Sequence, residues 1–424
     1  MTVDNAEPGI GSLVETERLL IDGSWVPARS GKTFPVEDPG TGGVVAHVPE
    51  ADAADVDAAV AAARRAFKDE RWTRLSGAQR GVVLWRAADL IDAHAEELAR
   101  LESMDVGMPV RQARAMAAEA ANQFRYFAGL ADKIHGRSVE IGPAENGLQG
   151  ITLRDPVGVA AMIVSWNAPL YGVSMKLAPA LAAGCTCVVK PSEDAPLTVL
   201  AIGRLLLEAG VPEGVVNVVT GHGPVGAAMA AHHDVDKLSF TGSTQVGKLI
   251  VQAAAGNLKK LSLELGGKSP VIVLPDADLS QVIPGIGLGI FMNTGQICTS
   301  GTRLFAHRDI FDEVVQGVAE YGRSLKIGYG ADPDVDLGPL ASQRQLDRVT
   351  EFVDGGLKDG ARLVGLFSGS VKGDDHANPR SCDSPGARRA RRRGSGTGGP
   401  PSGRGAGETG GVRPLPLRQP PHDG

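Results

Sequence analysis

The chain has 424 residues, 42% of them hydrophobic, which is enough for more than one domain and a sizeable core. Its formal net charge of -6 gives no general attraction to nucleic acid, and its four cysteines make neither a CxxC pair nor a cluster with histidine, against a disulfide framework or a zinc site. The opening stretch MTVDNAEPGIGSLVE lacks a basic segment followed by an apolar one, so no secretory signal is expected and a reducing cytoplasm is the expected setting.

In chain order, a Gly- and Pro-punctuated, strand-like region is followed by Ala-rich helical character over residues 52–67, 79–101 and 109–134. The run from Val157 to Met175 contains no charged residue and has the length of a membrane span. Asn167 and Pro169 interrupt it, however, and similar β-rich runs follow, as expected for a parallel sheet buried on both faces. Those runs alternate with helical stretches: CTCVVK, a helix over 197–209, VVNVVT, a helix after Pro224, KLSFTG, and a helix over 244–255. A regular βαβ succession predicts a doubly wound sheet whose strand ends form a crevice for a dinucleotide. Cys185 and Cys187 alternate along one predicted strand and read as packing.

Three segments carry candidate chemistry. Cys298, in FMNTGQICTSGTR, lies in a small, polar, Gly-containing turn after an apolar run. An isolated cysteine is more often inert packing, yet free cysteine titrates near about 8.5, and the thiolate present at neutral pH is a strong nucleophile beside a carbonyl. Glu264, in LSLELGGKSP, ends a strand-like run before two glycines, where a carboxylate can activate water. Asn167, in VSWNAPLYG, follows the apolar strand VGVAAMIV, and an amide there can donate to an oxyanion.

With these three motifs in this order, the chain resembles the aldehyde dehydrogenase superfamily from about Leu19 to about Gly365. SWNAPL is similar to its Pro-Trp-Asn-Phe-Pro motif, LELGGKSP to its glutamate signature and FMNTGQIC to its cysteine signature; Ser165 replaces the usual proline. The resemblance implies an α/β fold, with a doubly wound Rossmann-type cofactor domain plus an incomplete α/β catalytic domain. Residues 1–137 and 155–264 would form the NAD-binding domain, 138–154 the oligomerisation strands of a homodimer or homotetramer, and 265–365 part of the catalytic domain. It also implies that Cys298 attacks an aldehyde, that its backbone amide and Asn167 hold the oxyanion, that hydride leaves for a nicotinamide, and that Glu264 activates the hydrolytic water. Lys176 would assist proton movement; the plainer alternative is a solvated charge on a helix.

Two glycine clusters compete for the phosphates. GHGPVG, with Gly223 and Gly226, matches GxGxxG, a weak signal in a chain with 56 glycines. FTGSTQVGK is the better candidate, because Gly242, Ser243 and Thr244 fall between a strand and a helix, where amides meet an anion; an ordinary capped βα turn is the alternative. Lys190, Ser192 and Glu193 end a strand, and the resemblance directs them to the adenosine ribose, with Ser165 and Trp166 also at the cofactor. A carboxylate there accepts from ribose hydroxyls and repels a 2'-phosphate, so NAD is favoured over NADP. Leu170, Tyr171, Met175, Phe291, Ile297 and Thr299 are the expected substrate wall, mostly apolar and suited to a neutral aldehyde. No metal is expected.

After Gly365 the chain changes character: residues 366–424 contain no Ile, Met, Trp or Tyr, and such a segment is expected to be disordered. The resemblance ends there too, which suggests a reading-frame change near Gly365. The arginine-rich run at 388–393 could bind nucleic acid, but without interleaved aromatic residues it is not read so. Two functions stay open on sequence alone: an aldehyde-oxidising enzyme, or a defective relative that retains at most dinucleotide binding.

Overall fold

The computed structural model describes residues 13–142 and 147–364. The expectations for the tail and for a reading-frame change at Gly365 lie outside the described residues.

Two antiparallel pairs open the described chain, β1 (Leu19–Ile21) with β2 (Ser24–Val26) and β3 (Thr33–Glu37) with β4 (Val44–Pro49). The next helix, α1 (Ala53–Lys68), starts where Asp52 and Asp55 form a reciprocal capping box, the Asp52 carboxylate accepting from two N–H groups and Asp55 accepting from the Asp52 N–H. The helix expected over 79–101 is instead two, α2 (Gly77–Ala93) and α3 (Ala95–Val106). His94 separates them at φ −107° and ψ 19°, outside the helical region, and the Ala-rich composition carries no signal for this one-residue break. A long helix, α4 (Val110–Leu130), and an exposed antiparallel pair, β5 (Arg137–Glu140) with β6 (Gln149–Thr152), complete the first part.

From here strands and helices alternate: β7 (Val159–Ile163), α5 (Pro169–Ala182), β8 (Thr186–Lys190), α6 (Leu197–Glu208), β9 (Val216–Val218), α7 (Gly223–Ala231), β10 (Lys237–Gly242), α8 (Thr244–Ala254) and β11 (Lys260–Leu265). Their sheet order is β11-β10-β7-β8-β9, all parallel, extended by β1 and β2 in the antiparallel sense. The chain winds outward from β7 through β8 to β9, then crosses to β10 on the other side and continues to β11. This is a doubly wound sheet, and its winding reverses between β7 and β10.

Both faces of the sheet are covered, and strand periodicity divides its side chains between them. Ala160, Met162, Cys187, Val189, Val216 and Val218 pack with α2, α4, α5 and α6. Val159, Ala161, Val188, Leu238 and Phe240 pack with α1, α7 and α8. Cys185 and Cys187 are buried packing residues in the first of these layers. Among the described residues no helix is long and apolar enough to cross a membrane.

The chain beyond β11 is built differently. β12 (Pro270–Val273) pairs in parallel with β13 (Arg303–Ala306), flanked by α9 (Leu279–Phe291) and α10 (Phe311–Ser324), and among the described residues its small core buries Val273, Ile286 and Val314. The last described helix, α11 (Gln343–Lys358), has no buried residue.

Two carboxylates on α3 organise the helices behind the sheet. Glu102 accepts from the Leu170 N–H at 3.3 Å and from the Thr198 hydroxyl at 3.0 Å; Asp105 accepts from the Leu197 N–H at 2.8 Å. Neither α5 nor α6 has a side-chain cap of its own, so α3 satisfies their first-turn donors from a distance. Burial pushes the Glu102 carboxyl up to about 8, and burial followed by the neighbouring Glu102 raises Asp105 well above the carboxylate range. The folded chain therefore keeps a proton that the unfolded chain has released, and this contribution to stability falls as pH rises from about 4.5 to about 8. Glu102→Gln keeps an acceptor but cannot ionise. Urea unfolding should show it gaining on the parent across this window; an equal difference at both ends would rule out the titration.

Candidate active site

The chain leaving β7 at the reversal of winding is Val164–Ala168, so Ser165, Trp166 and Asn167 stand at the C-terminal edge of the sheet, where doubly wound folds bind ligands. The Ser165 hydroxyl donates to Asn167 Oδ1 at 2.7 Å and thereby sets the amide orientation. Asn167 Nδ2 then donates to the Gln296 carbonyl at 2.8 Å. Gln296 is two residues before Cys298, so the amide fixes the cysteine turn directly. An amide nitrogen has two hydrogens, and the second remains for an oxyanion.

The cysteine turn stores backbone strain. Asn293 (φ 50°, ψ 37°) and Thr294 (φ 57°, ψ 33°) are both left-handed, unusual for any non-glycine residue and most of all for a β-branched one. Hydrogen bonds from three directions hold this geometry. Asn293 Nδ2 donates to the Asn167 carbonyl at 2.8 Å, and the Asn293 N–H donates to Gln112 Oε1 of α4 at 3.1 Å. Thr294 Oγ1 donates to the Gly338 carbonyl at 2.9 Å, and the Ala341 N–H donates to Gln296 Oε1 at 2.9 Å. Gln112, Asn293 and Gln296 were not singled out in the sequence. Only Asn293 carried a signal, as an Asn-Thr-Gly turn in which asparagine tolerates the left-handed region.

Glu264 lies near the end of β11, opposite Thr241 of β10, and the chain then turns through Gly266 and Gly267 toward β12. A Cβ on Gly267 would stand 2.5 Å from the Cys298 carbonyl oxygen, so glycine is required where the two turns pass. Pro270 pairs with Arg303, and Arg303 Nε donates to the Lys268 carbonyl at 2.6 Å, locking the same two segments together a few residues on. Cys298 and Glu264 are both exposed. Lys176 is the opposite of a solvated helix charge: it is buried, and its Nζ donates to Ser239 Oγ of β10 at 2.9 Å. Burial lowers its ammonium to about 8, against the attraction of Glu264 and with the repulsion of Lys237. A buried amine this easily deprotonated can exchange a proton with its surroundings.

The expected cofactor residues lie on the same edge. Gly242, Ser243 and Thr244 join β10 to α8, with Ser243 Oγ accepting from the Val246 N–H at 3.3 Å. Gly223 and Gly226 occupy the first turn of α7, and Gly223 opens onto free space. Lys190, the last residue of β8, and Ser192 just beyond it are buried; Lys190 Nζ donates to the Pro191 carbonyl at 2.8 Å and faces Glu193 Oε2 at 3.6 Å. Burial pushes the Glu193 carboxyl up, but Lys190, a backbone hydrogen bond and Arg344 together outweigh it and the net shift is downward. The donor set fits a dinucleotide: a charged carboxylate for vicinal hydroxyls, an ammonium beside it, and open helix N-termini for phosphates.

The expected substrate wall divides. Tyr171, Met175, Phe291 and Ile297 are half-buried, Thr299 is exposed, and Phe291 stacks on Tyr321 with ring centroids 6.3 Å apart. Leu170 departs from the expectation. It is fully buried in the main core, because its position in the first turn of α5 directs it inward, and it has no surface to offer a ligand.

A sequence model of the aldehyde dehydrogenase family matches residues 25–378, and the chain belongs to this family. Phenylacetaldehyde dehydrogenase of Pseudomonas fluorescens is 42% identical over 369 residues, covering 86% of this chain and 74% of that protein. Human retinal dehydrogenase 2 is 42% identical, covering 82% of this chain and 68% of the relative. Among solved structures, the NAD+ complex of aldehyde dehydrogenase from Bacillus cereus superposes with a TM-score of 0.79 at 43% identity, covering 82% of this chain and 70% of that one.

Replacing Gly267 with alanine tests whether the two turns must touch. Gly267→Ala should lower turnover by about tenfold or more while the melting temperature moves by only a few degrees, as about 1 kcal/mol would do; unchanged turnover would show that the close approach does not position Cys298.

Proposed function

We propose that the chain oxidises an aldehyde to a carboxylic acid with NAD as hydride acceptor. The observation that carries this reading is the hydrogen bond from the Asn167 amide to the Gln296 carbonyl, which joins a free oxyanion donor to the turn of an exposed cysteine.

Cys298 Sγ attacks the aldehyde carbon, and the carbonyl electron pair moves to oxygen. Asn167 Nδ2–H and the Cys298 N–H hold that oxygen as a thiohemiacetal anion. Bound nicotinamide supplies the two-electron acceptor for the hydride on the former aldehyde carbon. As the hydride departs the C=O re-forms, leaving a thioester on Cys298. Glu264 takes a proton from water, the water oxygen adds to the thioester, and the C–S bond breaks to release the acid and the thiolate. Lys176, buried beside Ser239 and drawn toward Glu264, moves the proton onward.

Lys190, Ser192 and Glu193 bind the ribose, residues 242–244 and Gly223 and Gly226 the pyrophosphate, and Ser165 and Trp166 border the nicotinamide half. Half-buried Tyr171, Met175, Phe291 and Ile297 suit a neutral, apolar aldehyde. The described residues within 1–137 and 155–264 make up the cofactor domain, and those within 265–365 part of the catalytic domain. The exposed β5–β6 pair, with Ile151 72% exposed, supports pairing with a second copy as a dimer or tetramer. Free Cys185, Cys187 and Cys298 are compatible with a reducing cytoplasm.

A second reading, nucleotide binding without turnover, is favoured by one observation: Ile272, Leu288, Phe305 and Phe352 beyond β11 are between 53% and 70% exposed. One set of assays separates the two. With short aldehydes, the parent chain should form NADH and Cys298→Ala should form none while still binding NAD. Activity that survives Cys298→Ala removes the thiol from the mechanism, and NAD binding without turnover in the parent supports the second reading. Glu264→Gln should release about one equivalent of NADH per chain and then stall at the thioester.

A further inference from the structure

The last described helix contributes a cation to the ribose end of the cofactor crevice. Arg344 lies in the first turn of α11, directly after Gln343 and the N-cap Ser342. Its guanidinium reaches back to the chain leaving β8, where one nitrogen donates to Asp194 Oδ2 at 2.6 Å and another faces Glu193 Oε1 at 3.5 Å. Glu193 is thus held between two cations, Lys190 on Oε2 and Arg344 on Oε1. A cation in a helix's first turn is opposed by the helix dipole, so helix formation does not account for Arg344; its two carboxylate partners do.

This arrangement changes what the crevice can accept. A lone carboxylate at the ribose position excludes a 2'-phosphate by charge. Here two carboxylates face two cations, and the outer cation is the accessible one: the Arg344 side chain is 59% exposed, whereas that of Lys190 is 4% exposed. A guanidinium has five donors in a planar fork matched to phosphate oxygens, and only some are engaged with Asp194 and Glu193.

Building on the cofactor reading above, we infer that Arg344 is a cofactor-selecting residue, whose guanidinium offsets Glu193 and lets the crevice take a nucleotide bearing a 2'-phosphate as well as NAD. NAD gains little from Arg344, because its ribose hydroxyls are met by Glu193 and Lys190. A 2'-phosphate gains a direct charge-assisted partner and loses most of the repulsion from Glu193.

The test is a pair of calorimetric titrations, NAD and NADP, on the whole chain and on Arg344→Gln, a change at an exposed side chain outside the core. The inference predicts that NADP binds the parent and weakens about tenfold in Arg344→Gln, about 1.4 kcal/mol, while NAD changes by less than about twofold. NADP binding should also decline with salt more steeply in the parent than in the variant. Failure of NADP to bind the parent, or equal changes for both nucleotides, would overturn the role of Arg344 while leaving the NAD site intact. If NAD itself did not bind the parent, the cofactor reading would fail and this inference with it.

Discussion

The catalytic reading depends on one hydrogen bond, from Asn167 Nδ2 to the Gln296 carbonyl. It ties the strand end at the reversal of the sheet to a cysteine turn that is strained at two consecutive residues. Strain of this kind, of order 1–3 kcal/mol per residue, persists only when surrounding contacts over-determine it. Here those contacts come from α4, from the 165–167 turn and from residues 338–341. The same amide nitrogen has a second hydrogen, so in the proposed reaction the group that holds the cysteine turn can also donate to the charge that develops beside it.

A second constraint acts from behind. The Gly267 turn passes so close to the Cys298 carbonyl that no side chain fits between them, and pairing of β12 with β13 holds the two segments in register. Glu264 sits near the end of β11, three residues before the glycine that meets the Cys298 carbonyl. Lys176 is delivered by burial in α5 against β10, where the same burial makes its proton easy to lose.

Much of this was legible in the sequence, for identifiable reasons. Apolar runs separated by helical stretches gave the βαβ order, because a parallel strand buried on both faces cannot hide its composition. Cys298, Glu264 and Asn167 stood out as reactive groups at strand ends and glycine turns. The break at His94 did not, since both flanking segments favour helix. Leu170 was placed on the substrate wall by its neighbours in sequence, yet the first turn of α5 points it into the core. Gln112, Gln296 and Arg344 were invisible for a different reason. Their partners lie 181, 45 and 151 residues away in the chain, and no local pattern marks a polar side chain whose partner, a backbone N–H for the two glutamines and a carboxylate for Arg344, is so distant.

The most direct measurement is a crystal structure of the chain with an aldehyde trapped on Cys298. The account predicts the adduct oxygen at about 2.7–3.1 Å from Asn167 Nδ2, with the Gln296 bond retained. An adduct oxygen pointing to solvent, with Asn167 out of hydrogen-bonding reach, would contradict it.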